Sequence, residues 1–133
     1  LDTADVSHGS SQLIGKVYYT THAFIDRSNS SGKVRNFIEA YNKKYGIDPE
    51  NAFPALGYDS VHLLVEGFKR AGSTDSEKVI EALEGIEKFD GVTGVIAYGS
   101  DARIPKKPVS LITVIDSQPT LVKEAVPDKV PMP

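Results

Sequence analysis

Three consecutive segments decide how this chain folds: Lys16-Val-Tyr-Tyr-Thr-Thr-His-Ala-Phe24, Lys33-Val-Arg-Asn-Phe-Ile-Glu-Ala-Tyr-Asn-Lys-Lys-Tyr-Gly46, and Asn51-Ala-Phe-Pro-Ala-Leu-Gly-Tyr-Asp-Ser-Val-His-Leu-Leu64, which runs on to Lys69-Arg-Ala-Gly72. The first is rich in aromatic and β-branched residues, so residues 16–21 read as a strand. In the second, Val34, Phe37, Ile38, Tyr41 and Tyr45 recur at helical spacing, which predicts a helix over 33–45. Gly46 stands where a left-handed C-cap belongs, after two lysines that suit the negative end of the helix dipole. The third predicts a helix over 55–71. Pro54 occupies its first turn, Leu56, Val61, Leu64, Val65 and Phe68 form the stripe to be buried, and Gly72 ends it.

Outward from this region the signals alternate. Residues 1–15 are polar and read as a loop, with a short helical turn near Thr3 to Ser7. Asp26 to Gly32 is turn chemistry. Thr74 and Glu77 are spaced as a capping box for a third helix over 74–87, with Val79, Ile80, Leu83 and Ile86 on its apolar face. Val92 to Tyr98 reads as a strand among glycines. Val109 to Ile115 is nearly continuous and apolar, hence a strand covered on both faces. Asp116-Ser117-Gln118-Pro119 reads as a hairpin connection to a short strand at 120–123, and the prolines after Glu124 suggest a mobile tail. The sum is a mixed α/β chain of about three helices and four strands.

The chain has 133 residues and a net charge of −3, with 40% hydrophobic and 25% charged residues. This is the composition of one ordinary soluble domain. Lysine and arginine are scattered, which argues against a nucleic-acid partner. Cysteine is absent, so disulfides, thiolate catalysis and cysteine-based zinc sites are excluded.

Candidate chemistry is sparse. His8, His22 and His62 do not fall as a pair on one helix face, and no carboxylates flank them in a ligand pattern, so no metal is expected. There is no Gly-x-Ser-x-Gly nucleophile elbow. Gly91-x-x-Gly94 precedes a strand rather than a helix and lacks the following Gly-Lys-Ser/Thr of a phosphate loop. These glycines are better explained by a turn, a bulge or a close backbone approach. No cofactor and no catalytic residue are therefore expected. What remains is a set of aromatics at element ends: Tyr18, Tyr19, Phe24, Phe53 and Tyr58. At the ends of strands and the starts of helices, such side chains can wall an apolar pocket or complete the core, and for Phe53 and Tyr58 the sequence leaves both readings open.

Taken together, Val17-Tyr-Tyr-Thr-Thr-His22, Asn51-Ala-Phe-Pro-Ala-Leu-Gly-Tyr-Asp-Ser-Val61 and Phe89-Asp-Gly-Val-Thr-Gly-Val-Ile-Ala-Tyr98 resemble the type I periplasmic solute-binding proteins, the branched-chain amino-acid kind that feeds ABC importers. The similarity runs from about Gly15 to about Val122 and corresponds to the C-terminal part of such proteins. It implies an incomplete Rossmann-like three-layer half-lobe. Residues 1–24 would be a loop and hinge crossover strand, 25–100 a section of the N-terminal-type lobe, 101–123 a return crossover with strands of the second lobe, and 124–133 a tail. It implies no catalysis and no cofactor, a periplasmic or extracellular location, and an ABC permease as partner. The implied solute is an amino acid or a related small molecule, with Thr21 and His22 beside the hinge and Phe53 and Tyr58 approaching the solute cleft. The groups that hold the solute's carboxylate and ammonium in relatives are not in this stretch. Apolar helix faces without partners also predict self-association of the chain. Two other readings remain open: a ligand-sensing regulator domain of the same fold, and a small independent α/β domain or enzyme.

Overall fold

The computed structural model describes residues 17–28, 30, 32–98 and 104–128. The expected loop over 1–15 and the last residues of the expected tail lie outside that set. In chain order the elements are β1 (Tyr18–Thr21), α1 (Gly32–Tyr45), α2 (Phe53–Ala71), α3 (Ser76–Glu84), β2 (Phe89–Gly91), β3 (Gly94–Ile96), β4 (Val109–Ile115) and β5 (Gln118–Ala125).

The strands form two separate antiparallel groups. One is a three-stranded sheet in the order β1-β4-β5, with Tyr19 opposite Ile112 and Thr113 opposite Thr120. Its middle strand buries Ser110, Ile112 and Val114 on one face; on the other Thr113 is buried, Val109 and Leu111 are half-buried and Ile115 is exposed, so the cover expected on both faces is complete on one only. The turn from β4 to β5 is tighter than the four residues read from sequence. Asp116 and Ser117 alone make it, with φ of 50° and 62°, the double left-handed conformation that matches the twist of a two-residue hairpin. β5 consequently starts at Gln118 and runs through Ala125, longer than 120–123 and into the stretch read as tail.

The other group is the β2–β3 ribbon, and it corrects the single strand expected over 92–98. Val92 and Thr93 are the turn, Gly91 pairs with Gly94, and Phe89 pairs with Ile96. The chain reverses here because Asp59 captures both turn amides, as described below. Ala97 then bridges Lys106 in both directions (3.0 and 2.7 Å).

α1 and α2 begin and end close to their expected places. Gly46 (φ 78°) and Gly72 (φ 58°) are left-handed at the helix ends, the conformation that a C-terminal cap asks of glycine. At the start of α2 the Asn51 side chain accepts from the Phe53 amide at 3.0 Å. α3 is shorter than predicted. Its N-cap is Asp75, whose carboxylate accepts from Lys78 N at 3.2 Å, so the Thr74–Glu77 capping box does not form. Aspartate one residue nearer the helix fills the same role as well as threonine. Gly85 closes the helix, its amide bonded to Glu81 O at 3.1 Å.

The core sits where α1, α2 and the β2–β3 turn meet. It consists of Phe37, Ile38, Ala55 and Val92, flanked by Ile25, Val34 and Tyr41. Tyr45, expected on the buried side of α1, is exposed, and so is Ile80 on α3. The larger correction concerns α2. The residues it buries are Ala55, Asp59 and Gly67, at positions one turn apart or multiples of it. Val61, Leu64 and Val65, read as its buried stripe, are exposed. Two contacts set this rotation. Asp59 is bonded to the ribbon turn, and Gly67 lets α3 approach so closely that an added Cβ would lie 2.8 Å from Leu83. A helix that is apolar on both sides is one built for contacts on both sides.

Candidate functional site

Asp59 is the centre of the polar structure. It is 2% exposed, and both its oxygens are directed at one turn. Oδ1 accepts from Val92 N at 2.8 Å, and Oδ2 accepts from Thr93 N at 2.8 Å and from Thr93 Oγ1 at 2.6 Å. A buried carboxylate persists only with such donors around it. Lys107 approaches the other side of the turn. Its ammonium donates to Thr93 O at 2.7 Å and to His22 O at 2.7 Å. Burial pushes the Lys107 pKa below the usual lysine range, partly opposed by the charges of Asp59 and Glu124.

Two further clamps hold the surrounding loops. Arg27 makes a two-pronged bond to Asp48, 2.7 Å at each oxygen, and Asn42 Nδ2 donates to Asp48 Oδ1 at 2.8 Å. These contacts, from Arg27 first, hold the Asp48 carboxyl below its ordinary pKa. Lys33 binds Asp90 through both the carboxylate (2.6 Å) and the carbonyl (2.7 Å), which likewise lowers the Asp90 pKa.

The residues expected beside the hinge, Thr21 and His22, and those expected to approach the cleft, Phe53 and Tyr58, do not meet in one concavity. Thr21 is half-buried at the end of β1 and lines a concavity of about 260 Å³ with Phe24, Asn51, Ala52, Gln118 and Pro119. His22 follows it, exposed, and contributes its carbonyl to Lys107. Phe53, the first residue of α2, is 70% exposed. Tyr58 lies one turn further on, lining a groove of about 530 Å³ between α1 and α2 together with Phe37, His62, Asn36 and Asp90. Thr21 and Tyr58 thus border different concavities, and Phe53 borders neither.

Tyr58 belongs to a line of rings in contact. Tyr45 to Tyr41 is 4.6 Å between centroids, Tyr41 to Phe37 5.9 Å, Phe37 to Tyr58 5.3 Å, and Tyr58 to His62 4.2 Å. The ring planes are tilted by 41–60°, between stacked and edge-to-face. Of the β1 pair, Tyr19 is the half-buried one, its hydroxyl pKa raised by burial, while Tyr18 faces outward. Asp59 and Lys107 were not singled out from sequence. The only cue was the position of Asp59 in the midst of an apolar helix. Among the described residues no three His, Asp or Glu side chains converge as a metal site would require, and no helix is long and apolar enough to cross a membrane.

This geometry can be set beside known proteins. Residues 2–119 match the periplasmic binding protein family. A leucine-binding protein from Thermotoga maritima superposes on 95% of this chain with a TM-score of 0.70 and 30% identity. A branched-chain amino-acid transporter substrate-binding protein from Streptococcus pneumoniae, solved with isoleucine, covers 82% with a TM-score of 0.64 and 28% identity. A solute-binding protein from R. palustris, solved with benzoate, covers 84% with a TM-score of 0.66, and at 20% identity it speaks for the fold alone. This chain spans 35%, 29% and 30% of those three proteins, respectively, so it corresponds to about a third of each. No curated protein matches the sequence. The fold is that of part of a type I periplasmic binding protein, and the chain belongs to the periplasmic binding protein family.

Proposed function

We propose that this chain is the section of an extracytoplasmic solute-binding protein that shapes one wall of the solute cleft and part of the hinge, in the service of an ABC importer. The observation that carries this reading is the match along residues 2–119, together with the superposition of 95% of the chain on a leucine-binding protein. The proposed solute is a branched-chain amino acid or a related small molecule. The section does no chemistry of its own. Its location is periplasmic or extracellular, and its partner is the importer's permease.

In this reading β1 and β4 are two crossover segments lying side by side, and α1 to β3 belong to one lobe. Support comes from the sheet order, in which β4 lies between β1 and β5 and all three run apart from the helices' own ribbon. Phe53 and Tyr58 stand at the start of α2, exposed and apolar, as residues that meet a solute's side chain would be. Thr21 and His22 stand at the exit of the first crossover.

The test is a titration of the 133-residue chain with leucine, isoleucine, valine and benzoate, following the ring signals of Phe53 and Tyr58 by NMR. The expected result is a saturable shift of these rings by the branched-chain amino acids at millimolar concentration, with the Tyr58 shift lost in Phe53→Ala. Ring signals unmoved by all four compounds would overturn the assignment of Phe53 and Tyr58 to the cleft wall.

A further inference from the structure

We infer that Lys107 is a positioning residue: its side chain fixes the end of β1, where Thr21 and His22 stand, to the ribbon turn that α2 holds through Asp59. The functional meaning of this link rests on the reading above, in which Thr21 and His22 border a hinge and α2 carries the cleft wall.

The geometry forms an unbroken chain of contacts. α2 supplies the Asp59 carboxylate, which grips Val92 N, Thr93 N and Thr93 Oγ1. Thr93 returns its carbonyl to Lys107 Nζ, and the same nitrogen donates to His22 O. A single ammonium thus binds two carbonyls from segments far apart in sequence, one after β1 and one between β2 and β3. Bonds from a charged donor to a carbonyl are about twice as strong as neutral ones; the one to Thr93 O is half-buried and the one to His22 O is exposed, so salt weakens the second more.

Lys107 is also held from behind. Its predecessor Lys106 is bridged to Ala97 by two backbone bonds, and its successor Pro108 packs against Gly94, where an added Cβ would lie 3.0 Å from the proline ring. Proline fixes its own φ and restricts the residue before it, so the backbone of Lys107 is confined. The side chain is therefore aimed by the fold, unlike a surface lysine free to sweep through solvent. The charges around it are Asp59 on α2 and Glu124 on β5, both opposite in sign.

A lysine that only added general stability would act on the whole chain alike. A positioning lysine acts on the two segments it joins. Hydrogen exchange separates the two when measured on the 133-residue chain and on Lys107→Met, which keeps most of the apolar stem without the donor. The expected result is exchange about tenfold faster in residues 20–24 and 92–95, with residues 60–68 of α2 unchanged. Lys107→Arg, which keeps the charge and the donors, is expected to recover most of the protection. Equal acceleration in α2, or no change in either joined segment, would overturn the proposal. If Lys107→Met does not fold, Lys107→Gln is judged by the same comparison. The readout involves no solute, so a failed amino-acid titration would sink the cleft reading while leaving this result to stand or fall by itself.

Discussion

Asp59 and Gly91 are packed so closely that a side chain on the glycine has no room: a Cβ there would lie 2.5 Å from Asp59 Oδ2 and 2.8 Å from its carboxyl carbon. The carboxylate cannot step aside, because its three hydrogen bonds to the next two residues fix it in place. Gly91→Ala is expected to cost about 1–3 kcal/mol, the range for forcing extra volume into a packed interior. The midpoint of urea unfolding measures it. A loss below about 0.5 kcal/mol, typical of surface changes, would mean the turn and helix can slide apart.

The same contact predicts what happens when the acid is altered. Asp59→Ala leaves the amides of Val92 and Thr93 without their acceptor in a buried place. Each orphaned amide is expected to cost about 1–3 kcal/mol, enough together to approach the total stability of an ordinary domain. Asp59→Asn retains one acceptor but turns an NH₂ group toward a donor, so it is expected to fall between wild type and Asp59→Ala in a denaturant titration. Near-equality of wild type and Asp59→Asn would show that one acceptor is sufficient.

These residues also show how far the sequence could be read. Strand β4 and helices α1 and α2 were visible because an apolar run, helical spacing and end caps are local signals. Gly72 and Gly46 are where a C-cap demands them. The ribbon over 89–96 was not visible. Its turn is held by a carboxylate more than thirty positions away, and no local pattern encodes that partner. The rotation of α2 was misread for a related reason. Periodicity ranks Val61, Leu64 and Val65 above Ala55, Asp59 and Gly67, whereas the helix turns its smaller residues inward, where neighbours approach closely. Of the residues expected near the solute cleft, Phe53 and Tyr58 were left open between pocket and core, because sequence gives the residue type at an element's end but not its exposure, which the structure puts at 70% and 44%. The separation of Tyr58 from Thr21 into different concavities depends on how β1 and α2 are set against each other, which element-by-element reading does not supply.

The turn between β4 and β5 can be improved. Asp116 and Ser117 both hold positive φ, which L-residues with a Cβ adopt at a cost of about 1–2 kcal/mol each, less for aspartate and asparagine. The double change Asp116→Asn and Ser117→Gly installs the pair this turn prefers. It is expected to raise stability by about 1 kcal/mol and to shift thermal unfolding up by several degrees. A circular-dichroism melt checks it, and a lower midpoint would contradict the left-handed geometry at these positions.

Acid should weaken the clamp between the 22–28 loop and the α1–α2 connection. Arg27, by hydrogen bond and charge, holds the Asp48 pKa below its ordinary value. Because the folded pKa is depressed, the contribution is fully present above the unfolded value near 3.8 and is lost as pH falls through the lower folded one. Asp90, lowered by Lys33, adds to the same trend. Stability measured from pH 6 downward is expected to fall less steeply in Asp48→Asn than in wild type. Parallel curves would mean that the fork to Arg27 is not maintained in solution.

The outward face of α2 yields the last prediction. Phe53, Tyr58, Val61, Leu64 and Val65 are 70%, 44%, 62%, 43% and 41% exposed, and all but Phe53 lie close together along one side of the helix. Contiguous apolar surface of this kind seldom stays in water. The proposed consequence is association between copies of the chain at high concentration, read by light scattering on a sizing column. Val61→Glu with Leu64→Glu is expected to shift the population to monomer while changing unfolding stability by less than about 1 kcal/mol, since exposed positions away from structural contacts tolerate substitution. If the two changes instead unfold the chain, the residues are buried in solution and the helix stands rotated from the orientation that Asp59 gives it. A chain that is monomeric before any substitution would show that the face is accommodated without a second copy.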